Sequence, residues 1–225
     1  MTLYDKLLNL PLLQGLSYDD LSDVVAHSKF NFIKRGRDET IVAEGAPASH
    51  LIFVLRGSVM VSHRATDGGY SVMEELHGPL MLGLDRLFGF DQTHGGEIRS
   101  LTDCSLLMLS KPDILQLADK YFIVRINIMN RLATNAQKLE AAVWQRYPDT
   151  ILRRMQRFFR IHCLYPAGRK VVRIKMQVLA DEVHESRINV SRQLNSWQRS
   201  GLIVLGRERI EIPRLDALLQ LKDDD

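Results

Sequence analysis

Residues 176–197 read MQVLADEVHESRINVSRQLNSW and predict two short helices joined by a tight turn. Apolar residues recur at helical spacing in both halves of this stretch. In the first helix, the small Ala180 allows a second helix to cross closely. The residues expected on the buried face of this helix are Leu179, Ala180 and Val183.

The second helix is expected to begin near Glu185 or Ser186, because a serine hydroxyl can accept from the unpaired amides of a helix start. Its expected buried residues are Val190, Leu194 and Trp197. Its other face presents hydrogen-bonding side chains without a carboxylate, namely Arg187, Asn189, Ser191, Arg192 and Asn195, together with Ile188. Such a helix fits the major groove of DNA, where an arginine can bind both acceptors of one guanine.

A predicted β-wing follows in residues 200–213, SGLIVLGRERIEIP. Two β-prone runs flank a turn that carries Gly206, Arg207 and Arg209, so the tip can contact phosphate. A last helix is expected over Leu215 to Leu221. The alternative interpretation, a small helical protein-interaction domain, does not account for the wing or for the carboxylate-free helix face.

Upstream of this pair, Pro148 breaks a long helix and indicates a hinge or domain border. Asp149 is expected to cap a helix from Thr150 to about Leu164, and residues 171–175 to form a short strand. The expected core face of this helix is Ile151, Leu152, Met155, Phe158 and Phe159, with Arg153, Arg154, Arg157 and Arg160 on the rest.

The long helix has two apolar stripes. One is a coiled-coil-like seam of Ile128, Leu132, Asn135, Leu139 and Ala142. The other consists of Ile126, Met129, Ala133, Ala136 and Val143. One stripe can cover the chain's own β-domain and the other can contact a second copy, so we expect a homodimer whose interface is the first stripe.

Residues 29–109 predict short strands broken by glycine. A helix starts after Ser17 and ends near His27. The clearest strand pair is a hairpin, with alternating residues from Val59 to Ala65 and from Tyr70 to Leu76 around Asp67-Gly68-Gly69. Other strands are expected at 51–55, 79–84, 97–100 and 105–109. This many short strands predict a compact antiparallel barrel or roll.

Charge is unevenly distributed. Residues 148–225 hold 15 Lys/Arg against 10 Asp/Glu, and the first 147 hold 15 against 17. A basic C-terminal module indicates a polyanionic partner. No apolar run reaches the roughly 18 residues of a membrane span and no secretory signal is visible. Cys104 and Cys163 are expected to be reduced core thiols, and a cytoplasmic location is expected.

The order of roll, long helix, helix-turn-helix and wing resembles the CRP/FNR superfamily of bacterial transcription regulators over almost the whole chain. Residues 186–194, SRINVSRQL, look like the family's Ser-Arg-Glu-Thr-Val-Ser-Arg-x-Leu run, and Gly201-Leu202-Ile203 looks like its Gly-Leu-Ile ending. The implied fold class is α+β. It comprises an N-terminal antiparallel β-roll of jelly-roll type over 1–118, a long dimerisation helix over 119–147 and a C-terminal winged helix-turn-helix over 148–225.

In relatives, the residues matching Arg187, Ile188 and Arg192 read base edges, and the one matching Ser186 helps to hold phosphate. The family's common glutamate is Ile188 in this chain. A carboxylate accepts from cytosine, whereas isoleucine can only pack, for instance on a thymine methyl. The preferred half-site should therefore differ from that of the cAMP receptor protein. The other expected DNA-binding residues are Asn189, Ser191, Asn195, Arg207 and Arg209.

The resemblance also locates a possible effector pocket in the roll. Gly45, Gly57 and Gly83 fall where the family's roll needs tight turns. The ligand-binding positions correspond to Leu84, His94, Gly95, Gly96, Asn135 and Ala136. Leucine cannot accept from a ribose hydroxyl, and a largely neutral histidine replaces a permanent cation. Cyclic AMP is therefore expected to bind weakly or not at all.

Other sensing modes find little support in the sequence. No cysteine precedes Cys104, so the N-terminal cysteine cluster of an iron–sulfur sensor is absent. His50, His63, His77 and His94 are haem ligands by residue type only. No cofactor and no metal are expected. The effector is another small molecule that the sequence does not identify, or the roll serves only as a scaffold.

The leading interpretation is a homodimeric, sequence-specific DNA-binding regulator, with RNA polymerase as a further partner if it activates, and no membrane partner. Its recognition helices would lie roughly 34 Å apart on a two-fold-related operator. The alternative is a cyclic-nucleotide-responsive signalling module in which the roll binds cAMP or cGMP. An enzyme is not expected, because the sequence shows no P-loop, nucleophile-elbow serine or His-Glu-x-x-His motif.

Overall fold

A computed structural model of the chain describes residues 3–8, 10–27 and 30–223. The chain divides into two compact units. The first contains Met1–Val59 and His77–Val143, and the second contains Met60–Leu76 and Trp144–Asp225. A segment from the N-terminal half therefore belongs to the same unit as the C-terminal third, while the predicted domain boundaries at 118 and 147 stay a proposal.

The helices and strands, in chain order, are α1 (Leu3–Leu8), α2 (Tyr18–His27), β1 (Asn31–Arg35), β2 (Thr40–Val42), β3 (His50–Arg56), β4 (Ser58–Arg64), β5 (Tyr70–His77), β6 (Leu80–Leu82), α3 (Leu84–Phe88), β7 (Ile98–Ser100), β8 (Cys104–Ser110), α4 (Lys111–Lys120), α5 (Phe122–Trp144), α6 (Ile151–Ile161), β9 (Lys170–Ile174), α7 (Met176–Glu182), α8 (Arg187–Arg199), β10 (Val204–Gly206), β11 (Arg209–Ile212) and α9 (Leu215–Leu219). The predicted α+β class with an antiparallel roll is confirmed. None of the helices in the described ranges is long and apolar enough to cross a membrane.

The first unit is built on a four-stranded antiparallel sheet in the order β1-β8-β3-β6, and β2 pairs with β7. Strand β3 lies between β8 and β6, and its residues Leu51 to Val54 are all buried. Leu51 and Phe53 join a core that also includes Leu21 of α2 and Ile114 of α4. The helices therefore cover one face of the sheet.

Three glycines adopt the left-handed backbone that tight turns need, as predicted for the roll. The φ angles are +76° at Gly45, +100° at Gly57 and +86° at Gly83. At Gly57 a Cβ would also lie 2.6 Å from the Asp103 carbonyl oxygen, so the turn excludes other residues.

A strand was predicted over 79–84, and its predicted end is wrong. Strand β6 stops at Leu82, and Leu84 begins the five-residue helix α3 after the left-handed Gly83. The long helix predicted over 119–147 is α5, and the extended backbone of Tyr121 separates it from the shorter helix α4 before it.

Helix α5 has partly buried apolar residues in its first half and exposed ones toward its end. Ile128 and Leu132 are half-buried and pack against the core of the first unit. Farther along, Leu139 is 71% exposed and Val143 is 76% exposed. Apolar side chains at spacings of three and four therefore continue beyond the part of the helix that the chain itself covers.

The second unit contains an antiparallel sheet with neighbours in the order β10-β11-β9-β5-β4. The predicted hairpin is confirmed as β4 and β5, with Ala65 N donating to the Tyr70 carbonyl at 3.0 Å. Strand β5 pairs with β9 from Tyr70 opposite Ile174 to Glu74 opposite Lys170. Val72 of the hairpin strand β5 consequently lies in one core with Phe158, Leu194 and Trp197.

The start of α6 differs from the prediction. Thr150, not Asp149, is the N-cap, and its side chain accepts from Arg153 N. The helix ends at Ile161 rather than near Leu164. All of its predicted core residues except the half-buried Ile151 are buried.

Candidate nucleic-acid interface

The two helices predicted from residues 176–197 are α7 and α8. Their predicted inner faces are confirmed, since the six residues Leu179, Ala180, Val183, Val190, Leu194 and Trp197 are at most 3% exposed. Burying five aliphatic side chains and a tryptophan in one cluster fixes the angle between the helices. The outer face of α8 is thereby held away from the core.

Ser186 caps α8, as predicted, with its Oγ accepting from Asn189 N at 3.2 Å. Glu185 lies beside it and accepts from Asn189 Nδ2 at 3.1 Å. Glu185 was expected at the helix start, but its contact with Asn189 was not part of the sequence prediction. The Glu185 carboxylate thereby orients the side chain of Asn189, one of the predicted DNA-binding residues.

The predicted reading face is open to solvent. Ser186, Arg187, Ile188, Asn189, Arg192 and Asn195 are exposed, and Ser191 is half-buried. Ile188 is 70% exposed, although burial is the usual state of a large aliphatic side chain. Arg187, Ile188, Ser191, Arg192 and Asn195 line one depression of about 760 Å³.

Two residues of that depression were missed from the sequence. Gln198 and Arg199 continue its lining at the end of α8. Their three- and four-residue spacing from Asn195 is the signal that could have found them. Gln198 Oε1 also accepts from Leu205 N at 3.0 Å, which ties α8 to the first wing strand.

The predicted wing is the antiparallel pair β10 and β11, with Gly206 opposite Arg209. Arg207 and Arg209 are both exposed at its turn, and Arg209 Nη2 lies 2.9 Å from Glu211 Oε2. Gly206 and Arg209 line a cavity of about 350 Å³ together with Arg187. The wing and the start of the reading helix therefore border one surface.

Arg154 holds the turn between α7 and α8, a role that the sequence did not indicate. Its guanidinium donates to the carbonyl oxygens of His184 at 2.9 Å and Pro148 at 2.8 Å. It also lies 3.3 Å from the carboxylate of Glu185. His184 has a φ of +50°, and this contact stabilises that unusual backbone. The segment before α6 is thus joined to the turn before α8.

The possible effector residues of the roll lie in different surroundings. Leu84 is 4% exposed and belongs to the apolar core of the first unit. His94 is 8% exposed, and burial lowers the pKa of its imidazole, which favours the neutral form. Gly96 is buried, whereas Gly95 and Ala136 are exposed and Asn135 is half-buried.

A cation that was not predicted from the sequence, Arg86, lies beside Gly95. A Cβ at Gly95 would be 3.2 Å from Arg86 Nη2. Arg86 Nη1 is 2.8 Å from Asp91 Oδ2, so its charge already has an acidic partner. Across the described residues there is no group of three or more His, Cys, Asp or Glu side chains that could hold a metal ion.

A roll followed by a helix-turn-helix with a wing defines the class of protein, a transcription regulator with a sensor-type domain and a DNA-binding domain. Family models support this class for both parts. Residues 33–121 match the cyclic nucleotide-binding domain, and residues 149–221 match the Crp-like helix-turn-helix domain. The chain belongs to the CRP/FNR superfamily of bacterial transcription regulators.

Solved structures show the same fold. The catabolite activator protein of Thermus thermophilus is 22% identical, with a TM-score of 0.50 over 93% of this chain and 96% of its own. The N-terminal domain of a transcriptional regulator from Streptomyces coelicolor is 21% identical, with a TM-score of 0.51 over 65% of this chain and 100% of its own. The sensor domain of the regulator DNR from Pseudomonas aeruginosa is 14% identical, with a TM-score of 0.51 over 65% of this chain and 93% of its own. No curated protein matches the chain.

Proposed function

We propose that the protein is a homodimer that binds a two-fold-related operator through α8, with Arg187 and Arg192 reading bases and the wing contacting phosphate. The observation that carries the proposal is the solvent-exposed face of α8, where both arginines flank an exposed isoleucine over a fully packed inner face. A guanidinium can bind the O6 and N7 of a guanine, and Ile188 can pack on a thymine methyl.

The proposed dimer contact is the exposed apolar part of α5. Leu139 of the first stripe and Val143 of the second are four residues apart and therefore adjacent on the helix surface, and both are more than 70% exposed. Covering such a pair with a second copy of the helix removes it from water, as in coiled coils. Of the predicted seam, Ile128 and Leu132 also serve the chain's own core, so the contact would be strongest toward the end of the helix.

Selecting bound sites from random duplex DNA with the purified protein tests this proposal. We expect an enriched sequence with two inverted half-sites whose centres are about 34–36 Å, one helical turn, or a multiple of it apart. A single unpaired half-site would contradict the dimer, and the absence of any enriched sequence would contradict base reading.

For the roll we propose an effector other than cAMP, or none. The buried Leu84 offers no acceptor to a ribose hydroxyl, and the neutral form of His94 gives no charge to a cyclic phosphate. Each lost charge-assisted hydrogen bond removes about 1.5–3 kcal/mol. Calorimetry with cAMP should show no micromolar binding. Micromolar binding would instead favour the cyclic-nucleotide-responsive module, with Arg86 as the residue to substitute next.

A further inference from the structure

The β4–β5 hairpin carries basic charge next to the wing. A groove of about 540 Å³ in the second unit is bordered by this hairpin, by the end of β9 and by the wing turn. We call it the hairpin groove. Its cations are Arg64, Arg173, Lys175, Arg207 and Arg209, all of them exposed. Glu208 is the acidic residue of its lining. Even when the Glu211 carboxylate that pairs with Arg209 is counted, five cations exceed two carboxylates, which makes the groove attractive to a polyanion.

The hairpin is held in this position by a buried ion pair. Glu74 and Lys170 face each other where β5 pairs with β9, with 3.2 Å between carboxylate and ammonium. Both side chains are at most 1% exposed. Tyr70 at the other end of the pairing lies 2.8 Å from His162 Nε2 through its hydroxyl. The hairpin is therefore a fixed part of the module that contains the reading helix.

The hairpin groove adjoins the surface that the proposed function assigns to DNA. Glu208 and Arg209 of the wing line the hairpin groove, and they also line the smaller cavity with Arg187. The wing thus lies between the reading helix on one side and Arg64 on the other. Arginine and lysine side chains in such a row can follow successive phosphates of one duplex.

We propose that the hairpin groove contacts the phosphate backbone of DNA beyond the outer edge of each half-site, with Arg64 of β4 supplying one of the cations. This inference rests on the proposed DNA-binding function. It adds that the β4–β5 hairpin is part of the nucleic-acid interface. The contact is independent of base sequence, because it consists of charge pairing with phosphates.

The test measures how the affinity for a selected duplex depends on salt, using fluorescence anisotropy. Removing one phosphate contact per protomer in Arg64→Ala should lower the salt slope by about 0.9 per protomer. The ratio of wild-type to Arg64→Ala affinity, taken per protomer, should therefore fall about 3.5-fold between 50 and 200 mM salt. Arg64→Lys should keep the wild-type slope, because phosphate pairing needs the charge and not the guanidinium shape.

The matched control is Arg37→Ala, which removes an arginine that is also exposed but lies in the first unit. It should leave the slope unchanged. A second control uses a duplex trimmed to the two half-sites, on which Arg64→Ala and wild type should behave alike.

Equal slopes for Arg64→Ala and Arg37→Ala on the long duplex would overturn the hairpin contact. An equal deficit on the long and the trimmed duplex would overturn its location outside the half-site. Both results leave the proposed function intact as long as the wild type still prefers its selected site over random DNA. Loss of that preference in the wild type would instead overturn the proposed function itself.

Discussion

Glu74 and Lys170 form an ion pair at 3.2 Å that is closed off from solvent, with 0% and 1% of the two side chains exposed. The Glu74 carboxylate also accepts from Leu164 N at 2.6 Å and Tyr165 N at 3.2 Å. Lys170 Nζ donates to the Ala167 carbonyl at 2.7 Å. Both charges thus have partners, and together they join β5 to β9, the strand before the helix-turn-helix in the same unit.

Glu74→Ala should strongly destabilise the protein, because it leaves the Lys170 ammonium buried without its counter-charge. Breaking a buried pair from one side costs about 3–5 kcal/mol. Urea unfolding followed by circular dichroism measures the loss. Replacing both residues by methionine should recover most of it, since the uncompensated charge is then gone.

The neighbouring Glu75 provides the control for that experiment. Its carboxylate lies 3.3 Å from Arg169, but the two side chains are 22% and 35% exposed. Solvent screens such a pair, so Glu75→Ala should cost about 1 kcal/mol or less. Equal losses for Glu74→Ala and Glu75→Ala would contradict the special role of the buried pair.

Arg154→Ala should loosen the turn before the reading helix. The variant loses charge-assisted hydrogen bonds to the carbonyls of His184 and Pro148. The expected cost is about 1.5–3 kcal/mol in unfolding free energy, with weaker binding to DNA. Arg153→Ala removes the same charge from the exposed side of α6 and should cost less than about 1 kcal/mol. The reverse order of the two losses would refute the positioning role of Arg154.

Thr150→Ala should destabilise α6 more than Asp149→Ala does. The Thr150 side chain accepts from Arg153 N, whereas Asp149 precedes the cap. Loss of a threonine cap costs about 1 kcal/mol, and thermal unfolding of both variants gives the comparison. A larger loss for Asp149→Ala would contradict Thr150 as the cap and support the Asp149 cap predicted from the sequence.

The two thiols should be inert in the folded protein at pH 8. Burial raises the pKa of Cys163 to about 12 and also raises the pKa of Cys104. Only the thiolate reacts, and its fraction at Cys163 is then about one in ten thousand. Mass spectrometry after iodoacetamide should show no label in buffer and two labels in urea. Arg37→Cys supplies an exposed thiol that must label in buffer, and labelling of Cys163 at the same rate would exclude its burial.

Local patterns were enough to predict the helix-turn-helix. The inner faces of α7 and α8 follow the helical period, and Ser186 is a favoured cap residue, so each feature depends on near neighbours in sequence. The choice between Asp149 and Thr150 was missed because both residue types cap helices. Helix α3 was missed because five residues carry too little period to separate a helix from a strand.

The position of the hairpin in the second unit could not be predicted from such patterns. The alternation of β4 and β5 predicts a hairpin but does not say which strand lies next to β5. That depends on pairing between Glu74 and Lys170, which are far apart in the chain. Arg154 and Arg86 were missed for the same reason, since their partners come from other elements or from folded turns.

Base reading by Arg187 is the central claim, and competition between the selected duplex and random duplex measures it most directly. Arg187→Ala should lose about 1–3 kcal/mol on the selected site and little on random DNA, so that specificity falls. Arg207→Ala at the wing should weaken both duplexes alike and lower the salt slope. An equal loss on both duplexes for Arg187→Ala would contradict the account.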